Sequence, residues 1–197
     1  HEIATHTLKH PTISRCPLTE VAKEILEDRI GLEHIAGYPV RGHAYPNGSC
    51  NEEIKQLLKS LGIAYARLAC MESGEFELPE DAYEWKSTCH HNYHLMDYAK
   101  TFADFKKPEY LKCLSVWGHS YEFDRDNNWD LIEEFCAYMG EREDIWYATN
   151  IDIIDYNRVC RCLQFGAAGD FVYNPSAKSA WLQVDDRIIE IKGGSLV

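Results

Sequence analysis

The sequence predicts an α/β fold with parallel strands and a small antiparallel β tail. Three observations predict it. A strand–helix–strand rhythm runs through residues 38–69, the pattern of a βαβ unit. Further helical stripes, alternating with short apolar segments, continue to residue 164. From Ala167 the pattern changes to strands joined by a polar turn at Asp185-Asp186, the signature of a hairpin. The expected division is therefore an α/β domain over 1–166 and a β-hairpin appendage over 167–197.

The elements follow in order. Residues 18–31 form an amphipathic helix. Val21, Ile25, Leu26 and Ile30 make its apolar stripe, Thr19 is placed as its N-cap and Gly31 marks its stop. Residues 38–45 are short, apolar-aromatic and turn-bounded, which suits a strand ending at Pro46-Asn47-Gly48. The next helix is capped by Asn51 or Ser49. Its buried face carries Ile54, Leu57, Leu58 and Leu61, and Gly62 ends it. Residues 63–69 read as a strand, and 72–94 as a loop rich in polar, aromatic and histidine residues. A helix follows over 94–105, ended by Lys106-Lys107-Pro108. Residues 111–117 suit a strand that stops at Gly118-His119. After an acidic loop, residues 129–139 form a helix with Asn128 as cap. Residues 145–151 read as strand-like and 151–164 as helical.

Composition bounds the function. The 197 residues carry a net charge of −12, with 45% hydrophobic and 26% charged residues, an ordinary globular balance. That charge repels nucleic acid and offers no polybasic patch to an anionic membrane. No apolar run approaches the length of a bilayer span. The chain begins at His1 with no initiator Met, so an upstream segment, and with it secretion, stays open. Eight cysteines are scattered singly apart from Cys160 and Cys162, whose spacing lacks the spacer of a zinc knuckle. Free thiols in a reducing, cytoplasmic setting are the expectation.

Chemistry-bearing residues gather at the ends of strands. The opening stretch H-E-I-A-T-H-T-L-K-H-P-T places His6 and His10 four apart, with Pro11 directly after. On a helical turn both imidazoles would face one side and could reach one cation. V-R-G-H-A-Y-P-N-G-S leads into a helix at the end of one strand, and L-S-V-W-G-H ends a later strand at His119.

Together these stretches resemble the polysaccharide deacetylases, the NodB-homology family of carbohydrate esterases. H-E-I-A-T-H-T-L-K-H-P matches that family's metal motif, His-Ser/Thr-x-x-His-Pro. The A-Y-P-N-G turn looks like its third motif and V-W-G-H like its fifth. The resemblance implies an incomplete, distorted (β/α) barrel and a metal-dependent hydrolase that removes N- or O-linked acetyl groups from a carbohydrate. It implies His6 and His10 as metal ligands, the backbone N–H of Asn47 as an oxyanion donor and His119 as the acid for the leaving group. Such chemistry needs a Lewis acid, a base, oxyanion donors and an acid. A histidine's ordinary pKa suits the last task. Two imidazoles with a carboxylate suit Zn, and equally Co, Ni or Fe. Tyr45, Trp85, His90, His91 and Trp117 are candidate substrate contacts, and an acetylated carbohydrate is the expected partner.

Two departures from the family's pattern stand out. The Asp-Asp motif that supplies a third ligand and the base belongs upstream of His6, and Asp185-Asp186 fits a hairpin turn instead. Ala44 stands where the third motif usually has Arg, with Arg41 three residues earlier. D-A-Y-E-W, residues 81–85, faintly resembles the fourth motif. Asp81 or Glu84 is then a candidate for orienting His119, against a plain solvated loop charge. T-C-H-H-N-Y-H is a rival metal site through His90, His91 and His94, or else lines the substrate pocket. His34 and His43 read as ordinary loop or strand residues. Glu122, Asp124 and Trp129 either shape a sugar site or belong to a solvated acidic loop. The alternative functions are a degenerate carbohydrate-binding relative without the Asp base, and a metal-binding α/β protein centred on the 90–94 histidines. An exposed sheet edge would favour a homo-oligomer.

Overall fold

The structure, a computed structural model, describes residues 1–106 and 111–197. It comprises two compact units, His1–Tyr147 and Ala148–Val197. The first unit is built on short parallel strands. Strands β1 (Gly42–Ala44), β2 (Tyr65–Leu68) and β3 (Trp85–Lys86) form one sheet in the order β1-β2-β3, all parallel. Thr5 adds a parallel bridge on the other side of β1: its N–H donates to Gly42 O and its carbonyl accepts from Ala44 N, each at 2.9 Å. Strands β4 (Cys89–His90) and β5 (Val116–Trp117) form a second parallel pair. Parallel neighbours need crossover segments: a helix, Glu52–Ser60, lies between β1 and β2, and another, Leu95–Ala103, between β4 and β5.

Helix α1 spans Leu18–Ala36 and α2 spans Glu52–Ser60. Their apolar residues Val21, Ile25, Ile54 and Leu58 meet Ile13, Tyr45, Ile63, Ala66 and Tyr83 in one buried cluster. Asn51 is the cap of α2, its side-chain oxygen accepting from Ile54 N at 2.9 Å. Three expectations for α1 fail. The helix runs through Gly31 and stops at Gly37, which takes a left-handed φ of +73°. A single interior glycine costs about 1 kcal/mol, too little to end a helix whose other positions favour it. Thr19 is not the cap either, since Pro17 occupies that position. Of the four stripe residues only Val21 and Ile25 are buried, while Leu26 and Ile30 face solvent.

Helix α3 spans Leu95–Ala103, α4 spans Tyr121–Asp126 and α5 spans Trp129–Met139. Of the Lys106-Lys107-Pro108 stop, Lys107 and Pro108 lie outside the described residues. The stretch 72–94, read as loop, contains β3 and β4. Two-residue strands are too short for alternation to show in sequence. The acidic stretch after His119 is helix α4 rather than loop, with Glu122 and Asp124 in its first turn, where carboxylates favour the N-terminal end of the dipole. Residues 145–149 form no strand. Tyr147 instead donates its hydroxyl to Met139 O at 2.6 Å.

In the second unit, helix α6 (Asn150–Cys162) opens on a full capping box between Thr149 and Asp152. Strands β6 (Gln164–Phe165) and β7 (Val172–Tyr173) pair antiparallel, as do β8 (Ala180–Val184) and β9 (Arg187–Ile191). Asp185 and Asp186 take φ of +48° and +62°, the twist a two-residue hairpin turn needs. Buried Asn174 ties the strands, donating to Lys178 O at 2.8 Å and Ile191 O at 2.9 Å. The unit begins ahead of the 166/167 boundary because α6 packs with these strands. Tyr156 and Trp181 have ring centroids 6.2 Å apart, and Asp155 pairs with Lys178 at 3.5 Å. All eight cysteines are free thiols. Among the described residues, no helix is long and apolar enough to cross a membrane.

Candidate active site

His6 and His10 are brought together by a loop, not by a helical turn. Thr7 and His10 take left-handed φ of +66° and +57°, which a β-branched residue and a residue before proline rarely adopt. Helix α1 holds that backbone in place. Asp28 accepts from Thr5 Oγ1 at 2.5 Å and His6 N at 3.1 Å, while Glu24 accepts from Lys9 N at 2.7 Å. The two rings end up 4.7 Å apart, at 72° to each other. His6 Nδ1 lies 2.8 Å from Ala44 O. A carbonyl only accepts, so the proton sits on Nδ1 and Nε2 presents its lone pair outward. Burial lowers the His6 pKa, and the nearby charges of His10, Arg67 and His119 add to this against the Ala44 bond. A neutral imidazole with a free Nε2 is the form that ligates a cation.

The A-Y-P-N-G turn sits beside this loop. Asn47 takes φ +56°, and its side chain donates to Thr12 Oγ1 at 3.2 Å. The bonds that close the turn are donated by Gly48 and Ser49, so the Asn47 N–H is not spent on them. Arg67 is the register partner of Ala44 on β2. Its guanidinium stands over the Trp117 ring at 5.6 Å and within electrostatic reach of His6. A cation thus occupies the neighbourhood that Ala44 leaves without one. Strand pairing decided this, and no spacing in the sequence announces it.

His119 follows β5, and its side chain is 48% exposed. Its Nδ1 lies 3.4 Å from Glu122 Oε2, and its backbone N–H donates to the same oxygen at 3.2 Å. Glu122 is buried and also meets His90 Nε2 at 2.9 Å, His91 Nε2 at 3.5 Å and Arg125 Nη2 at 3.3 Å. Burial by itself would raise the Glu122 pKa. The His119 N–H and the neighbouring histidine charges outweigh it and hold the carboxylate below its ordinary value. The carboxylate beside His119 is therefore Glu122. Asp81 and Glu84 are instead gathered by Lys55 at 3.1 and 2.7 Å. The His119–Glu122 spacing of three was the one signal that could have found it, because it puts both groups on one turn of a helix.

The remaining candidates separate into two groups. Trp117 stands in the site wall: its Nε1 donates to Cys70 O at 2.5 Å, and its ring meets those of His90 at 4.7 Å and His119 at 5.8 Å. His90 and His91 are buried beside it, their rings 4.3 Å apart. Tyr45 and Trp85 are core residues, each 2% exposed. Tyr45 donates its hydroxyl to Tyr83 O at 2.9 Å, and Trp85 packs edge-on to Tyr65. Neither offers a face to a sugar in this arrangement. Trp129 donates its indole N–H to Asp124 at 2.9 Å on the outer side of α4 and α5. His43 is buried with neither ring nitrogen hydrogen-bonded, and burial, with the nearby His6, pushes its pKa down to about 3.

His90, His91 and Glu122 are the one group of three ligand-type side chains, among the described residues, whose donor atoms lie within 4.8 Å of one another. His94 is not part of it. Residues 90–94 are not helical, and the His94 side chain is 65% exposed, 3.6 Å from Asp97. Gly118 makes room for the group. A Cβ there would lie 1.8 Å from His91 Nδ1. Gly118→Ala should therefore destabilise the chain by about 1–3 kcal/mol through overpacking, measured as a lower urea midpoint; an unchanged midpoint would show that the His91 ring is free to move.

Residues 1–66 match the model of the polysaccharide deacetylase family. No curated protein matches the chain. Two solved structures do. One, from Mycobacterium smegmatis, is provisionally described as a polysaccharide deacetylase. It is 17% identical with a TM-score of 0.61, and the match covers 82% of this chain and 64% of that one. The other is the Streptococcus pyogenes deacetylase PplD in complex with acetate, 19% identical with a TM-score of 0.34, covering 35% of this chain and 30% of that one. The fold is thus a mixed α/β arrangement similar to that of the mycobacterial protein. The chain spans less than two thirds of either protein's length.

Proposed function

We propose, from a chain whose residues 1–66 match the polysaccharide deacetylase family, that it is a metal-dependent hydrolase releasing acetyl groups from an acetylated carbohydrate. The observation that carries this reading is the gathering of His10, Arg67 and His119 within electrostatic reach of His6, from three separate stretches of chain. The strands fit part of a distorted (β/α) barrel, whose strand ends are where such groups collect.

His6 and His10 would supply two imidazole nitrogens to a divalent cation; joined by a carboxylate as third ligand, that donor set suits Zn, Co, Ni or Fe. The fit is supported by the free Nε2 of His6 and by its bond to Ala44, which orients the ring as ligand histidines usually are. Bound there, a metal would polarise the acetyl carbonyl and make water a better nucleophile. Taking that water's proton is the task of the Asp-Asp motif to which the resemblance gives the base, a motif not found in the stretch around His6 and His10; the chain's own groups supply the oxyanion donors and the acid. The Asn47 N–H points from a rigid turn and donates to the oxyanion. Arg67 adds positive charge beside it. His119, protonated, gives its Nε2 proton to the departing amine or alcohol, while Glu122 balances the imidazolium. Trp117 walls the sugar side. Free thiols fit a reducing compartment, and the exposed Leu26, Ile30 and Ile35 of α1 favour self-association.

The test is acetate release from N-acetylglucosamine oligomers by the chain loaded with Zn. Release that stops on chelation and returns with Zn is the expected result. Binding of the oligomers with no release in any metal would overturn the hydrolase and favour a carbohydrate-binding relative.

A further inference from the structure

We propose that His90 is a positioning residue for His119, acting through Glu122 rather than through a metal. The order of protons along this chain of groups can be read from donors that have no choice. The Asn92 backbone N–H donates to His90 Nδ1 at 3.2 Å. An amide N–H cannot accept, so Nδ1 is the unprotonated nitrogen and the ring proton is on Nε2. His90 Nε2, which carries that proton, lies 2.9 Å from Glu122 Oε2. Glu122 Oε2 in turn faces His119 Nδ1 and accepts from His119 N. With its proton on Nδ1, His119 would donate across that 3.4 Å contact to the carboxylate, which only accepts, and present Nε2 to the site.

The support behind His90 is itself fixed. The Asn92 side chain donates to Asp126 at 3.0 Å and accepts from Asn128 at 2.8 Å, tying β4's turn to both ends of the α4–α5 junction. The His90 ring stands edge-on to Trp117. Glu122 is therefore held from one side by His90 and from the other by Arg125. A buried carboxylate with one preferred direction locks the imidazole it faces into one tautomer and one orientation.

The same three side chains have spacings that would suit a cation. The Asn92 bond argues against that use. A cation needs the lone pair of His90 Nε2, which would move the proton to Nδ1, directly against the Asn92 N–H. His91 is a packing group beside the chain: its ring lies on Phe123 at 4.4 Å, and its Nε2 has no hydrogen-bond partner.

Nitrogen-15 NMR of the labelled chain tests this without an activity measurement. The expected wild-type spectrum has His90 protonated on Nε2 and neutral His119 protonated on Nδ1. His90→Leu should leave His119 as a mixture of tautomers, whereas His90→Gln, which keeps a side-chain N–H donor, should retain the single form. The proposal rests on the hydrolase reading only for its effect on turnover: His90→Leu should lower kcat roughly tenfold to a hundredfold with KM unchanged. If the tautomers are as stated and no acetate is released, the hydrolase reading fails and this one stands. Added Zn that shifts His90 to the Nδ1–H form, or a His119 tautomer unaffected by His90→Leu, would overturn it.

Discussion

His119→Ala should reduce acetate release from acetylated glucosamine oligomers by about 10²–10⁴-fold, the range of a lost general acid. The reason lies in what surrounds that side chain. It is the half-exposed histidine of the site, at the end of β5, with a buried carboxylate behind it and His6 within electrostatic reach. Alanine leaves Glu122 its bonds to His90 and Arg125 and to the backbone N–H at 119, so the fold has no cause to change. KM should stay close to wild type, because the step lost belongs to the leaving group. His94→Ala is the control: exposed, and lying 3.6 Å from Asp97, it should leave turnover unchanged. Full activity in His119→Ala would remove that residue from the acid role.

The second large effect is on metal content. The double variant His6→Ala, His10→Ala should lose its bound divalent metal, falling to background after dialysis, as read by elemental analysis. Both rings are held by backbone that α1 anchors through Asp28 and Glu24, so removing them leaves the loop's other bonds in place. His90→Leu should retain the metal, since His90 spends its Nε2 proton on Glu122. Undiminished metal in the double variant would sink His6 and His10 as ligands. Loss of metal from His90→Leu as well would place a cation at Glu122.

Much of the body was legible because it rests on local rules. The α2 cap at Asn51, the hairpin turn at Asp185-Asp186 and the parallel rhythm of β1 and β2 each follow from residue types at fixed offsets. Composition, the free thiols, the candidate ligands His6 and His10 and the candidate acid His119 come from the same level. The misses share a different cause. β3, β4 and α4 are too short for a periodicity to emerge, and the end of α1 lies at Gly37 because only there does the backbone turn left-handed.

By itself, then, the sequence determined which chemical groups this protein carries, and roughly on which kind of element each sits. Only the tertiary structure decided their company. It put Arg67 beside Ala44 through strand register and gave His119 the carboxylate Glu122 instead of Asp81 or Glu84. It turned Tyr45 and Trp85 inward to the core, and it set His6 against His10 through a left-handed loop. The physical reason is that hydrogen bonds and burial act between residues tens of positions apart. Periodicity and capping reach only three or four.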